Sequence, residues 1–154
     1  MSKENIQSIV DRYIDVSFSV TKKEEALMTK ELGSEITQDQ HYILRYIYRV
    51  GSCTSTELAE AFEVKKSAIT AIINRLWEKG FIKRTRDEKD RRVVYLTLTE
   101  QGEEFFQRIE EKINCLIEKL ISKFEPSEME QFIKTYEKLN QMLIEIKDNQ
   151  IDHL

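Results

Sequence analysis

Glycine and proline are scarce in this chain, four and one in 154 residues. With so few breakers, long stretches must be regular, and helix is the natural candidate. Cysteine is scarce too. Cys53 and Cys115 have neither metal-ligand spacing nor a CxxC relationship, so both read as reduced, buried thiols. The two histidines, His41 and His153, are too isolated to build a metal site, and no cofactor is expected. No apolar run exceeds a few residues, so no membrane span is expected, and the Ser-Lys-Glu-Asn start is unlike a signal peptide. A cytoplasmic protein follows. An enzyme does not: the glycines read as single helix stops rather than a phosphate loop, and the acids lie on periodic helix faces.

What the chain does have is charge, unevenly placed. The whole chain is −4 at neutral pH, yet Lys65 to Arg92 holds ten Lys/Arg against four Asp/Glu, a local +6. The remainder is therefore −10. An acidic protein that gathers its positive charge in one segment is suited to meet a polyanion at one place. Double-stranded DNA is the expected partner.

The apolar spacing divides the chain. Ile6, Val10, Tyr13, Ile14, Val20, Leu27 and Met28 predict one long helix over 5–32, stopped by Gly33. Thr37 and Gln40 form a capping-box pattern opening a helix over 38–49 that presents Ile43, Leu44, Ile47 and Tyr48 and stops at Gly51. Cys53-Thr54 is long enough only for a bridge strand. Thr54 and Glu57 repeat the capping pattern before a short helix through Phe62, and a turn over 63–65 leads to a helix over 66–79. Two short helices so joined make a helix-turn-helix.

On the second of these, Ile69, Ile72, Ile73 and Leu76 share the inward stripe, with Trp77 at its edge expected to pack. Ser67, Ala71 and Asn74 share the opposite stripe, flanked by Thr70 and Arg75. That outer face is small, polar and flanked by cations, which suits a major groove about 12 Å wide. Strands over 81–86 and 91–97, joined by the polar turn 87–90, form a hairpin wing. Beyond Thr99, the stripe Phe105, Ile109, Ile113, Leu116, Leu120, Phe124 and, after Pro126, the stripe Met129, Phe132, Ile133, Tyr136, Leu139, Leu143, Ile146 predict two more helices. Together with the first helix they carry more apolar face than a module of this size can cover, so a homodimer is expected.

The fold class expected is mainly α with a small β-wing (α+β). It comprises an N-terminal dimerisation helix over 1–34, a winged helix-turn-helix DNA-binding domain over 35–99, and C-terminal dimerisation helices over 100–154.

The segment from Thr37 to Gly102 resembles the MarR family of winged-helix transcription regulators. The resemblance rests on Cys53-Thr54-Ser55-Thr56-Glu57-Leu58-Ala59, Ser67-Ala68-Ile69-Thr70, Asn74 through Ile82 with Arg84, and the wing Asp90-Arg91-Arg92-Val93-Val94-Tyr95-Leu96-Thr97-Leu98-Thr99 followed by Glu100-Gln101-Gly102. The resemblance implies a homodimeric repressor on a pseudo-palindromic operator, released by a small-molecule effector. Carried onto this chain, Ser67, Thr70, Ala71, Asn74 and Arg75 would meet the bases and backbone, with Lys65 and Lys66 near phosphate. Ser55 and Thr56 would offer a further phosphate contact. On the wing, Asp90 would orient Arg92 at the minor groove, with Arg86, Lys89 and Arg91 nearby.

Family members that sense organic peroxides carry a reactive cysteine on the first helix; residues 5–32 here contain none. Others bind small aromatic or phenolic acids, and Tyr13, His41, Tyr42, Arg45 and Tyr46 are the candidate lining of such a cleft, with Arg45 facing the carboxylate. The alternative to a DNA-binding regulator is a winged-helix module that docks a protein and no longer binds specific DNA. Steep salt dependence of duplex binding separates the two.

Overall fold

A computed structural model describes residues 2–151 and divides the chain into two compact units, Met1–Ile113 and Asn114–Leu154. The first unit holds helix α1 (Lys3–Leu32), helices α2 (Gln38–Val50), α3 (Ser55–Phe62) and α4 (Lys66–Glu78), strands β1 (Ile82–Arg86) and β2 (Val94–Leu98), and the start of α5 (Glu100–Ile121). The second holds the end of α5 and α6 (Pro126–Ile151), which begins on the proline as the sequence predicted. His153 lies outside the described residues.

Local chemistry sets the boundaries. Ser2 caps α1 by accepting from the Asn5 amide, and Gly33 closes it at a φ of 65°. The two capping boxes form as expected, Thr37 with Gln40 and Thr54 with Glu57, each satisfying amides that a bare helix start would leave open. α3 ends on Glu63 in the left-handed region (φ 54°), which turns the chain sharply into α4. β1 and β2 pair antiparallel from Ile82↔Leu98 to Arg86↔Val94, and Cys53 adds a single bridge to Leu96.

The core lies where the inward stripes of these elements meet. Leu44 and Ile47 of α2, Leu58 of α3, Ile69, Ile73 and Leu76 of α4, Ile82 and Leu96 of the wing, and Phe106 and Ile109 of α5 are buried together. Burying a side chain of this size contributes about 1.5–3 kcal/mol. Phe81 stacks on Phe105 with ring centroids 4.3 Å apart.

Four expectations change. Gly102 is not a stop. It sits in the first turn of α5 pressed against Phe81, and a Cβ there would fall 2.7 and 2.8 Å from the Phe81 carbonyl carbon and Cα, with the carbonyl oxygen nearer still. Thr99 completes this junction, accepting from the Gly102 amide at 2.9 Å and donating to the Gly80 carbonyl at 2.6 Å. The second strand starts at Val94 rather than at residue 91, because Asp87 and Asp90 accept from the amides of Lys89, Asp90 and Arg92 and hold that stretch as a turn. Trp77 is 51% exposed rather than packed inward. Cys53 is buried as expected, but Cys115 is exposed.

Candidate nucleic-acid interface

α4 presents two faces. Inward, Ile69, Ile73 and Leu76 are buried and fix the helix against the core. Outward, Lys65, Lys66, Ser67, Thr70, Ala71, Asn74 and Arg75 are all exposed. Lys65 stands at the N-cap and makes no side-chain cap hydrogen bond. Thr70 donates its hydroxyl proton to the Lys66 carbonyl at 2.9 Å, leaving oxygen lone pairs and a methyl group to face outward. On α3, Ser55 is half-buried and Thr56 exposed in the turn that Thr54 caps.

The wing is built around two carboxylates. Asp87 accepts from the Lys89 amide at 2.7 Å and the Asp90 amide at 3.1 Å, and the Tyr95 hydroxyl donates to it. The backbone bonds to Asp90 and Lys89 hold the Asp87 carboxyl below its usual range, and the bond to Asp87 raises Tyr95. Asp90 accepts from both the amide (3.1 Å) and the Nε (3.2 Å) of Arg92, whose side chain is otherwise 93% exposed. Arg86 donates from Nη1 to the Arg91 carbonyl at 3.2 Å, tying the end of β1 to the far side of the turn. Lys89 and Arg91 are exposed there. Asp90 and Arg92 are thus paired with each other on the wing.

In the sequence Arg84 enters only as part of the family resemblance and Trp77 only as a packing residue, and neither is paired with Asn74; in the structure the three side chains meet. Arg84, exposed on β1, lies 5.3 Å over the Trp77 ring and donates from Nη2 to the Asn74 carboxamide oxygen. The ten-residue separation between Asn74 and Arg84 gives no local pattern; only a correct strand register makes the pair visible.

The five residues of the candidate effector cleft fall in different settings. His41 is 2% exposed and its Nε2 lies 3.1 Å from Glu110 of α5, while Arg45 forms an ion pair with the same carboxylate. Burial, and secondarily the Arg45 charge, hold the His41 pKa below its ordinary value; Glu110 pulls the other way but is shared with Arg45. Tyr46 meets Phe62 edge-on at 5.9 Å. Tyr42 and Tyr13 are exposed, Tyr13 on α1. Burial and the neighbouring Glu57 push the Cys53 thiol up to about 11, which removes its thiolate at neutral pH.

A helix-turn-helix whose second helix stays open on one side and is flanked by a charged hairpin is the architecture of winged-helix regulators. The MarR family model matches residues 36–94. The chain is 35% identical over 119 residues to the uncharacterized HTH-type transcriptional regulator YwhA of Bacillus subtilis, spanning 73% of this chain and 85% of that one. It is 35% identical over 106 residues to the HTH-type transcriptional repressor MdtR of the same organism, spanning 69% and 68%. Among solved structures, YusO from Bacillus subtilis superposes with a TM-score of 0.65 at 30% identity, over 92% of this chain and 99% of that one. Streptococcus pneumoniae FabT, solved in complex with DNA, superposes with a TM-score of 0.74 at 25% identity, over 92% and 99%. The chain belongs to the MarR family and is a transcriptional regulator.

Proposed function

We propose that this protein is a homodimeric repressor that binds a pseudo-palindromic DNA operator and is released by a small aromatic or phenolic effector. The observation that carries the reading is the pairing, in one unit, of an open α4 face with a wing arginine held ready by Asp90. α4 enters the major groove with Ser67, Thr70, Ala71, Asn74 and Arg75, while Lys65, Lys66, Ser55 and Thr56 meet phosphate. Arg92 reaches the minor groove, where a narrow width deepens the negative potential, and Arg86, Lys89 and Arg91 support it. That FabT was solved on DNA and that MdtR is a repressor support the reading.

The second copy is argued from unpartnered apolar surface. In the first unit α1 exposes Ile6, Ile9, Val10, Ile14 and Phe18; in the second, α6 exposes Phe132, Tyr136, Leu143 and Ile146. Isolated proteins seldom leave apolar faces of this extent in water. Two recognition helices must then span about one helical turn of DNA, roughly 34–36 Å, so a modest change in their spacing ends simultaneous engagement. Such a regulator works where chromosomal DNA is, in the cytoplasm. Because Arg45 already pairs with Glu110, an effector carboxylate has to compete with that side chain.

Selection of bound duplexes from a random pool at near-physiological salt tests the proposal. An inverted repeat with half-sites about ten base pairs apart is expected. Arg92→Ala should weaken binding to that operator and lower the salt dependence by about one counterion while leaving the fold intact. Unchanged affinity would remove the wing from the interface, and an unenriched pool would favour a protein partner.

A further inference from the structure

Asn74 and Trp77 stand one turn apart on α4 and therefore share a side of the helix. Arg84 reaches them from β1, where its backbone is held in register opposite the buried Leu96. Its guanidinium lies 5.3 Å over the indole and donates to the oxygen of the Asn74 carboxamide. A guanidinium has donors only, so the group it meets must be the carbonyl oxygen, never the amide nitrogen. The indole face holds the guanidinium in place, and the strand pairing holds the residue that carries it.

We infer that Arg84 is a positioning residue that sets the base preference of this regulator by fixing which half of the Asn74 carboxamide faces DNA. A free asparagine reads adenine with both halves, its oxygen accepting from N6 and its nitrogen donating to N7. With one lone pair of its oxygen taken by Arg84 and that oxygen turned toward β1, Asn74 is left to present its two N–H donors to DNA. In the major groove that matches the adjacent N7 and O6 acceptors of guanine, or O4 of thymine, and disfavours the exposed amino groups of adenine and cytosine. The charged donor also polarises the carboxamide and strengthens its outward N–H groups.

The inference rests on the DNA-binding reading above, and the test separates the two. Duplex selection is run on the wild-type protein and on Asn74→Ala, Arg84→Ala, Arg84→Lys and Trp77→Leu, with thermal unfolding as a check of folding. Both Arg84 and Trp77 are exposed, so the variants should fold. The half-site position whose preference disappears in Asn74→Ala is the one it reads, and guanine or thymine is expected there in the wild type. Arg84→Ala should move that position toward adenine, changing the guanine-to-adenine ratio by about tenfold, with the other positions unchanged. Trp77→Leu should move it in the same direction by less. Arg84→Lys, which keeps the charge but loses the planar stack, should also shift toward adenine. If Arg84→Ala instead weakens binding equally at every sequence and Arg84→Lys restores it, Arg84 is a phosphate contact and the inference fails while the DNA-binding reading stands. If Asn74→Ala leaves every position as in the wild type, Asn74 reads nothing and the inference also fails. If the folded wild type enriches no sequence, both readings fail together.

Discussion

α2 and α4 are both thirteen residues long, lie in the same unit and bury a comparable inward stripe, yet they finish differently. α2 is closed. Its first turn is sealed by the Thr37–Gln40 capping box, Gln40 and His41 are buried with its aliphatic residues, and Arg45 is paired with Glu110 of α5. α4 is closed only on its inner face. Its N-cap is a lysine without a side-chain cap, and its outer residues are exposed from end to end. The same helix length and the same apolar spacing thus serve two ends, and the polar residues decide which. Where they are spent inside the molecule, the helix is scaffold; where they are left open, it is surface for a partner.

The largest effect should show that the inner faces are equivalent. Leu44 of α2 and Ile73 of α4 are 0% and 2% exposed. Truncating either to alanine removes buried methylenes and leaves a cavity, which costs about 2–5 kcal/mol. Urea unfolding of Leu44→Ala and Ile73→Ala should give losses within that range for both. A loss under about 1 kcal/mol for Ile73→Ala would mean that α4 is not anchored as α2 is.

A smaller effect should belong to α2 alone. His41 is buried, and its folded-state pKa lies below the ordinary 6.5 because burial, and then Arg45, disfavour the imidazolium. The unfolded chain therefore binds the proton more readily than the folded one. Stability from this site is fully present above pH 6.5 and is lost as pH falls from there toward the folded-state pKa. Unfolding midpoints measured from pH 7.5 down to 5 should fall, and His41→Leu should flatten that part of the curve. An identical slope in the variant would place the pH dependence elsewhere, most simply on carboxylates that titrate lower.

Much of this contrast was legible in the sequence because it is local. Both capping boxes are four-residue patterns, and the stripes of α2 and α4 repeat every three or four residues, so elements and inward faces followed directly. What was missed depends on chain segments that meet only after folding. Gly102 looked like a stop because nothing near it in sequence announces the Phe81 backbone against it. Glu110 lies 69 residues from His41, so the closure of α2 by a shared carboxylate had no pattern to betray it. Helical spacing puts Trp77 at the edge of the packed stripe; its place under Arg84 depends on the strand register. The start of β2 is hidden because residues 91–97 have strand composition, while the aspartate bonds that hold 87–93 as a turn form only in the folded backbone.

The smallest effect bears on the open end of α4. If the N-cap lacks a side-chain cap so that phosphate can meet the first-turn amides, adding one should raise stability and lower affinity at once. Lys65→Ser and Lys65→Ala both remove the lysine charge, so the difference between them isolates the cap. A serine at an N-cap is worth about 1 kcal/mol over alanine, because its oxygen accepts from a first-turn amide. Lys65→Ser should therefore unfold at higher temperature than Lys65→Ala. On operator DNA it should bind more weakly, by about 0.3–1 kcal/mol, the usual worth of an anion at a helix N-terminus. Higher stability with equal affinity would show that the amides hold no phosphate and that α4 simply lacks the cap that α2 has. Lower affinity would make the missing cap part of the interface, and the contrast between the two helices would extend from their faces to their ends.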